Sequence, residues 1–182
     1  MPLVLDPVLA SGRGDEFATD EMMDAIRELL LPHTTILTPN SLEARRLADA
    51  EDDDTSLAVC AERLIEMGAE YVLITGTHDN TPKVINTLYD VNGVVRTDEW
   101  PRLPGSFHGS GCTLASACAA TIAQGLDIPE AVKEAQEYTW QALKYGFRAG
   151  MGQSIPDRMF WARDEEDGEE KLENQIFDRP GH

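Results

Sequence analysis

The segment of residues 108–113 has the residue types of an anion-binding site. Its two glycines allow the backbone to turn tightly and to approach a ligand with no side chain in the way. A helix is predicted to begin at about Cys112, so its unpaired amides and the positive end of its dipole would point at the same ligand. This pattern suits a phosphate, or the charge that develops during phosphoryl transfer. The predicted anion hole consists of Gly109, Ser110, Gly111 and Cys112.

Cys112 is the candidate catalytic residue of this segment. A thiol in the first turn of a helix is expected to ionise easily, because the helix end stabilises the thiolate and lowers its pKa. Two other interpretations remain open. The segment could be a Gly-rich turn before a buried cysteine. Alternatively, Cys112 and His108 could act together in a cysteine hydrolase, although the sequence offers no evident third group for that chemistry.

Polar residues follow three predicted strands, at the edge of an α/β sheet where ligands collect. Asp6 follows the first strand, Asn40 and Glu43 follow the second, and Thr75-Gly76-Thr77-His78 follows the third. Asn40 and Glu43 could face one metal ion or its water shell, although the same spacing fits a helix cap with a first-turn glutamate. Asp6 would project toward the same crevice. The turn at Gly76 could approach a nucleotide, or be only a turn.

The elements that would position these residues alternate between short apolar strands and amphipathic helices, which is typical of an α/β fold with a largely parallel sheet. Strands are predicted at 3–5, 35–38 and 71–75, and a hairpin at 84–97. Helices are predicted from an Asp20 cap to Pro32, over 41–49, from about 57 to Gly68, over 112–124, and from an Asp127 cap onward. The apolar face of the first helix would comprise Met22, Ile26, Leu29 and Leu30.

The chain of 182 residues carries a formal net charge of −18, with 42% hydrophobic residues. We expect one folded domain over residues 1–162 and an acidic, disordered tail over 163–182. The charge argues against nonspecific nucleic-acid binding, and no apolar run is long enough to span a membrane.

Three cysteines without metal spacing, and no signal peptide, predict reduced thiols in a cytoplasmic protein. A strand at the third residue suggests that upstream elements are missing, and an uncovered sheet edge would favour a homo-oligomer.

Three motifs resemble, in order and spacing, those of the hydroxymethylpyrimidine/phosphomethylpyrimidine kinases of the ribokinase-like superfamily. They are Asp6-Pro7-Val8, Thr38-Pro39-Asn40-x-x-Glu43 and Gly109-Ser110-Gly111-Cys112-Thr113. The resemblance covers about residues 2–156 and does not include the family's N-terminal segment, which supplies much of the pyrimidine pocket. Most ribokinase-like sugar kinases look different in the last motif, where aspartate stands in place of Cys112. The cysteine is therefore similar to that of the pyrimidine kinases, or of a few pyridoxine kinases.

The resemblance implies a three-layer α/β/α ribokinase-like fold with a mostly parallel sheet, and a kinase of thiamine biosynthesis that uses ATP and Mg²⁺. Its substrates would be hydroxymethylpyrimidine and its monophosphate. Pyridoxine or pyridoxal is the alternative substrate, and a truncated, non-catalytic nucleotide-binding remnant is the alternative function. By the same resemblance, Cys112 would activate the substrate hydroxyl or mainly orient it, within the anion hole of residues 109–112. The expected metal-site residues are Asn40, Glu43 and Asp6, and the expected nucleotide contacts are Thr75 and Gly76.

Overall fold

A mixed β-sheet runs through the computed structural model, which describes residues 1–9, 18–50, 55–76 and 81–162. Within these residues the strands are β1 (Val4–Leu5), β2 (Ile36–Leu37), β3 (Tyr71–Thr75), β4 (Lys83–Asp90) and β5 (Gly93–Pro101). The helices are α1 (Asp20–Ala25), α2 (Ser41–Leu47), α3 (Leu57–Glu66), α4 (Ser110–Ala123) and α5 (Ile128–Lys144). The predicted acidic tail, and Thr77-His78 of the third strand-end motif, lie outside the described residues.

The strands lie in the order in which they occur along the chain, from β1 at one edge to β5 at the other. β1, β2 and β3 pair in parallel, with Val4 opposite Ile36 and Ile36 opposite Tyr71. β4 pairs antiparallel to β3 and β5 antiparallel to β4. The expected α/β fold is confirmed, with the sheet divided equally between parallel and antiparallel pairings. The hairpin accounts for the antiparallel pairing of β4 with β5, because a two-residue turn before Gly93 can only join antiparallel strands.

Helices cover both faces of the sheet, which confirms the three-layer arrangement. On one face, the alternate residues Leu37, Val72 and Ile74 pack in a core with the helices α1, α2 and α3. On the other face, Ile36, Leu73 and Leu88 pack with α4 and α5. Alternate residues of one strand point to opposite faces, so β2 and β3 contribute apolar side chains to both cores. These strands are consequently buried on both faces, and their sequences are continuous apolar runs.

The first helix differs from its prediction. Thr19, not Asp20, is the N-cap, and its side chain accepts a hydrogen bond from the amide of Met22. After Ala25 the chain continues as a π-helical segment over Ile26–Leu30 and a 3₁₀ turn over Leu31–His33. Of the predicted apolar face, Ile26 packs against the core, but the π turn changes the rotation per residue beyond it. Met22, Leu29 and Leu30 are exposed, whereas Met23 and Leu31 are buried.

The other helices begin and end close to the predicted residues. Asn40, Ser56 and Asp127 cap α2, α3 and α5 with their side chains. Gly68 follows α3 with a φ of 118°, and a side chain there would place its Cβ 2.7 Å from Cα of Pro32. The glycine therefore allows the end of α3 to contact the turn that ends the first helix. None of the helices in the described part of the chain is long and apolar enough to cross a membrane.

Candidate active site

The carboxyl ends of the three parallel strands bring the predicted polar residues to one edge of the sheet. The amide of Thr38 donates to the carbonyl of Leu5, which joins the end of β2 to the end of β1. The amide of Thr75 donates to the carbonyl of Pro39 over 2.9 Å, and Asn40 forms a parallel bridge with Thr75. Parallel strands place their carboxyl ends together, so motifs far apart in the chain meet at this edge.

Asn40 and Glu43 form a capping box at the start of α2. Asn40 Oδ1 accepts from the amides of Leu42 at 3.0 Å and of Glu43 at 2.9 Å. In return, Glu43 Oε2 accepts from the amide of Asn40 at 3.0 Å. The second oxygen, Oε1, accepts from the amide of Leu9 over 3.1 Å, which ties the segment after Asp6 to α2. The helix-cap interpretation of this pair is thus confirmed.

The N-terminus of α4 is open. Gly109 is its N-cap, has a φ of 84° and provides no side-chain hydrogen bond to the helix. A backbone in this left-handed region strongly favours glycine. The first amides of α4 therefore have no side-chain acceptor, and the positive end of the helix dipole is left for a ligand. Residues 109–112 are called the anion loop below. The helix begins at Ser110, two residues earlier than predicted.

Asp6 lies against the anion loop. A side chain on Gly111 would place its Cβ 3.6 Å from Oδ2 of Asp6, so the carboxylate fits beside that glycine. The carboxylate also accepts a hydrogen bond from the thiol of Cys112, and the charge of Glu43 acts on it. The structure thus brings together three predicted site residues from β1, α2 and α4. The contact also means that the hydrogen-bond partner of the Cys112 thiol is a carboxylate, which does not favour a cysteine hydrolase.

The prediction that the pKa of Cys112 is lowered is wrong. Partial desolvation raises the pKa of the Cys112 thiol, and the negative charge and hydrogen-bond acceptance of Asp6 raise it further. The helix backbone and the guanidinium of Arg158 act in the opposite direction but do not outweigh these effects. Burial likewise raises the pKa of the Asp6 carboxyl, which the hydrogen bond from Cys112 lowers and the charge of Glu43 raises. Cys112 is consequently a protonated, solvent-exposed thiol at neutral pH.

The carboxylates of Asp6 and Glu43 fit a divalent cation in part. Asp6 is desolvated beside a second negative charge, an arrangement that a cation would relieve. Oxygen ligands of this kind suit Mg²⁺, which usually keeps several of its waters. However, the side-chain oxygens of Asn40 and Glu43 already accept backbone hydrogen bonds. Among the described residues, no group of three or more histidine, cysteine, aspartate or glutamate side chains is arranged to hold a metal ion. Of the three expected metal-site residues, Asp6 is therefore the one whose carboxylate would best suit Mg²⁺.

Gly76 is held by a network of buried polar side chains. Its amide donates to Oδ1 of Asn86 over 3.2 Å, and Nδ2 of Asn86 donates to Oε1 of Gln136 over 2.9 Å. Gln136 Oε1 also accepts from the indole of Trp100, while its Nε2 donates to Asp98. This network joins the end of β3 to β4, α5 and β5. The assignment of Thr75 and Gly76 to nucleotide contacts stays a prediction.

The sequence prediction missed Arg158, which lies beside the anion loop. The guanidinium Nη2 lies 3.2 Å from the position that a Cβ on Gly109 would occupy. Its Nε donates to Oγ1 of Thr113 over 3.1 Å. Arg158 stands far from the anion loop in the chain and belongs to no motif. The sequence offered only a lone arginine close to Phe160 and Trp161, in a segment with no assigned role.

The chain is similar to proteins of one kinase family over most of its length. The family model described as phosphomethylpyrimidine kinase matches residues 1–157. The hydroxymethylpyrimidine/phosphomethylpyrimidine kinase of Mycobacterium tuberculosis is 37% identical over 163 residues, covering 88% of this chain and 59% of the relative. The pyridoxine kinase of Bacillus subtilis is 34% identical over 152 residues, covering 80% of this chain and 55% of the relative.

A solved structure shows the same fold. The pyridoxal kinase from Staphylococcus aureus in complex with ADP superimposes with a TM-score of 0.75 at 27% identity. The match covers 88% of this chain and 59% of that structure. The chain thus spans somewhat more than half the length of the proteins it matches.

Proposed function

This chain belongs to the phosphomethylpyrimidine kinase family, and we propose that it transfers the γ-phosphoryl group of ATP to hydroxymethylpyrimidine and to its monophosphate in thiamine biosynthesis. The observation that carries the proposal is the open N-terminus of α4, where Gly109 leaves the first amides without a side-chain cap. Asp6 and Cys112 meet at this point. Phosphoryl transfer depends mainly on positioning and on neutralising charge, which such a site provides.

The residues of the site would divide this work. The amides of the anion loop would donate to the oxygens of the phosphoryl group, where charge develops during transfer. Because its thiol is protonated, Cys112 would orient the substrate hydroxyl by a hydrogen bond rather than act as a preformed thiolate base. Asp6, with Asn40 and Glu43 behind it, would hold Mg²⁺. When bound, that ion neutralises phosphate charge.

Thr75 and Gly76 would contact the nucleotide in this proposal. The support is that the Gly76 turn lies at the same sheet edge as Asn40 and is fixed by Asn86. The S. aureus pyridoxal kinase, which has the same fold, was solved with ADP. The proposal also includes a small-molecule substrate rather than nucleic acid, and a cytoplasmic location in which the three free thiols stay reduced. Self-association through a sheet edge stays a prediction.

The test is an assay of the purified chain with ATP, Mg²⁺ and hydroxymethylpyrimidine, followed by detection of the phosphorylated product. We expect product formation, and a loss of roughly a hundredfold in kcat for Cys112→Ala, because the hydroxyl loses its positioning group. Ser116→Ala is the matched control, since Ser116 is exposed one turn further along α4 and donates only to the carbonyl of Cys112. Equal activities of Cys112→Ala and the unmodified chain would remove Cys112 from the mechanism.

The same assay separates the alternatives. The Bacillus subtilis relative is named a pyridoxine kinase, so pyridoxine is offered as a second alcohol under identical conditions. We expect a higher kcat/KM for hydroxymethylpyrimidine. A preference for pyridoxine would reassign the substrate while retaining the kinase chemistry. If the chain binds nucleotide but forms no product with either alcohol, the non-catalytic interpretation replaces the proposed function.

A further inference from the structure

We propose that Arg158 binds the phosphoryl group that is transferred at the anion loop, an inference that rests on the proposed kinase function. A phosphate that approaches this loop meets two negative charges, those of Asp6 and Glu43, in a chain with a net charge of −18. A local positive charge is needed to offset them. The guanidinium of Arg158 lies at the loop and supplies it.

The position of Arg158 relative to the loop is set at both ends of its guanidinium. Nη2 lies against the bare backbone of Gly109, 3.2 Å from where a Cβ would stand. Nε donates to Oγ1 of Thr113, in the first turn of α4. The guanidinium therefore spans the turn that contains the amides of the anion loop. Its charge also reaches the sulfur of Cys112, whose pKa it lowers against the larger opposing effects of burial and Asp6.

The backbone of Arg158 is anchored to α5, which fixes the position from which its exposed side chain reaches the loop. The hydroxyl of Tyr138 donates to the carbonyl of Arg158 over 2.8 Å. One residue earlier, the amide of Asp157 donates to the carbonyl of Ala142, also over 2.8 Å. An arginine that is pre-positioned in this way loses little conformational freedom when it binds an anion.

The chemistry of arginine matches this place. Its planar guanidinium presents several N–H donors in a fixed fork that fits phosphate oxygens, and it keeps its charge at any physiological pH. With Nε engaged by Thr113, the terminal nitrogen Nη2 lies beside Gly109 of the loop. Donors on two sides of one phosphoryl group would stabilise charge that builds up on its oxygens during transfer.

The experiment measures binding separately from turnover. Isothermal titration calorimetry gives the affinities for AMP-PCP, which carries a γ-phosphoryl group, and for ADP, which lacks one. We expect Arg158→Ala to weaken AMP-PCP binding by roughly tenfold or more, since a charged hydrogen bond is lost. ADP affinity is expected to stay unchanged. Arg158→Lys should restore part of the AMP-PCP affinity, because lysine keeps the charge but not the planar fork.

Lys133→Ala is the charge-matched control. Lys133 is exposed on α5 and its charge acts on Asp98, so its removal changes the net charge without touching the loop. Both affinities are expected to remain near those of the unmodified chain. A loss for AMP-PCP as large as that of Arg158→Ala would show a general charge effect and overturn the inference.

The outcomes also distinguish this inference from the proposed function. If the unmodified chain binds AMP-PCP and Arg158→Ala binds it equally well, or loses ADP and AMP-PCP affinity alike, the role of Arg158 is refuted and the kinase proposal stands. If AMP-PCP binding depends on Arg158 but no alcohol is phosphorylated, the kinase proposal fails and the role of Arg158 stands. If the unmodified chain binds neither nucleotide, both are overturned.

Discussion

The contact between Asp6 and Cys112 determines how reactive the exposed thiol is. Cys60 and Cys118 are buried, and burial raises the pKa of Cys118 to about 12. A small alkylating reagent will therefore reach Cys112 first. Only the thiolate reacts, and Asp6 disfavours the thiolate by its charge and by accepting the hydrogen bond of the thiol.

Alkylation of Cys112 is expected to be slow at neutral pH and to accelerate only above the ordinary thiol pKa of about 8.5. Asp6→Asn removes the negative charge that raises the pKa, so the midpoint of the rate profile should move to lower pH and alkylation at neutral pH should become faster. Mass spectrometry of iodoacetamide-treated protein across a pH series measures both profiles. If the midpoint of the unmodified chain lies below that of a free thiol, or does not move in Asp6→Asn, then Asp6 does not hold the Cys112 thiol in its protonated form.

Residue types and spacing predicted several residues that the fold brings to one edge of the sheet, but not their ionisation. The glycines of the anion loop and the cap at Asn40 could be predicted because each depends on a local backbone pattern. The raised pKa of Cys112 could not, because it depends on Asp6, which approaches from a strand more than a hundred positions earlier. Arg158 was missed for the same reason, since only the tertiary fold carries it to Gly109.

At the scale of elements, the side chain of Gln136 connects α5 to the hairpin. Its carbonyl accepts from Asn86 and from Trp100, and its amide donates to Asp98. Asp98 is also held by Arg96, whose guanidinium lowers the pKa of that carboxyl and keeps it charged. Since Gln136 is buried, the network is shielded from water at this point.

Gln136→Leu should lower the free energy of unfolding by about 2–4 kcal/mol, because the buried amide of Asn86 and the half-buried indole of Trp100 would lose their acceptor. Gln141→Leu, on the same helix at a half-buried position, is the matched control and should change stability by less than about 0.5 kcal/mol. Urea denaturation monitored by circular dichroism gives both values. Similar stabilities of the two variants would mean that the network contributes nothing measurable.

Sequence patterns predicted the elements that depend on their own residues and failed where a local irregularity intervened. The periodicity of α3 and its Gly68 stop needed no tertiary information, and neither did the Asp127 cap of α5. The π-helical segment at Ile26–Leu30 cannot be recognised from a pattern that assumes a constant rotation per residue. The direction of β4 relative to β3 could not be predicted from the sequence either, since an apolar run does not specify whether the neighbouring strand is parallel.

At the scale of the whole molecule, the two halves of the sheet require chain closures of very different length. Asp90 pairs with Gly93 across a tight turn, whereas Val4 must meet Ile36 and Ile36 must meet Tyr71. Closing a longer loop costs more chain entropy before any contact forms. We therefore expect the β4–β5 hairpin to form early in folding and the parallel strands, which carry the site, to dock late.

Stopped-flow folding of two variants measures this order. Gly93 has a φ of 106°, so Gly93→Ala strains the turn and should mainly slow folding. Ile36→Val removes one buried methyl group from β2, at a cost of about 1 kcal/mol, and should mainly accelerate unfolding. The reverse assignment of the two rate changes would place the parallel strands in the folding nucleus instead.

Late docking of β1 and β2 would have a consequence for the site. Asp6 and the cap at Asn40 would be assembled only after the rest of the sheet exists. A partly folded chain could then carry an intact hairpin while remaining unable to hold a phosphate.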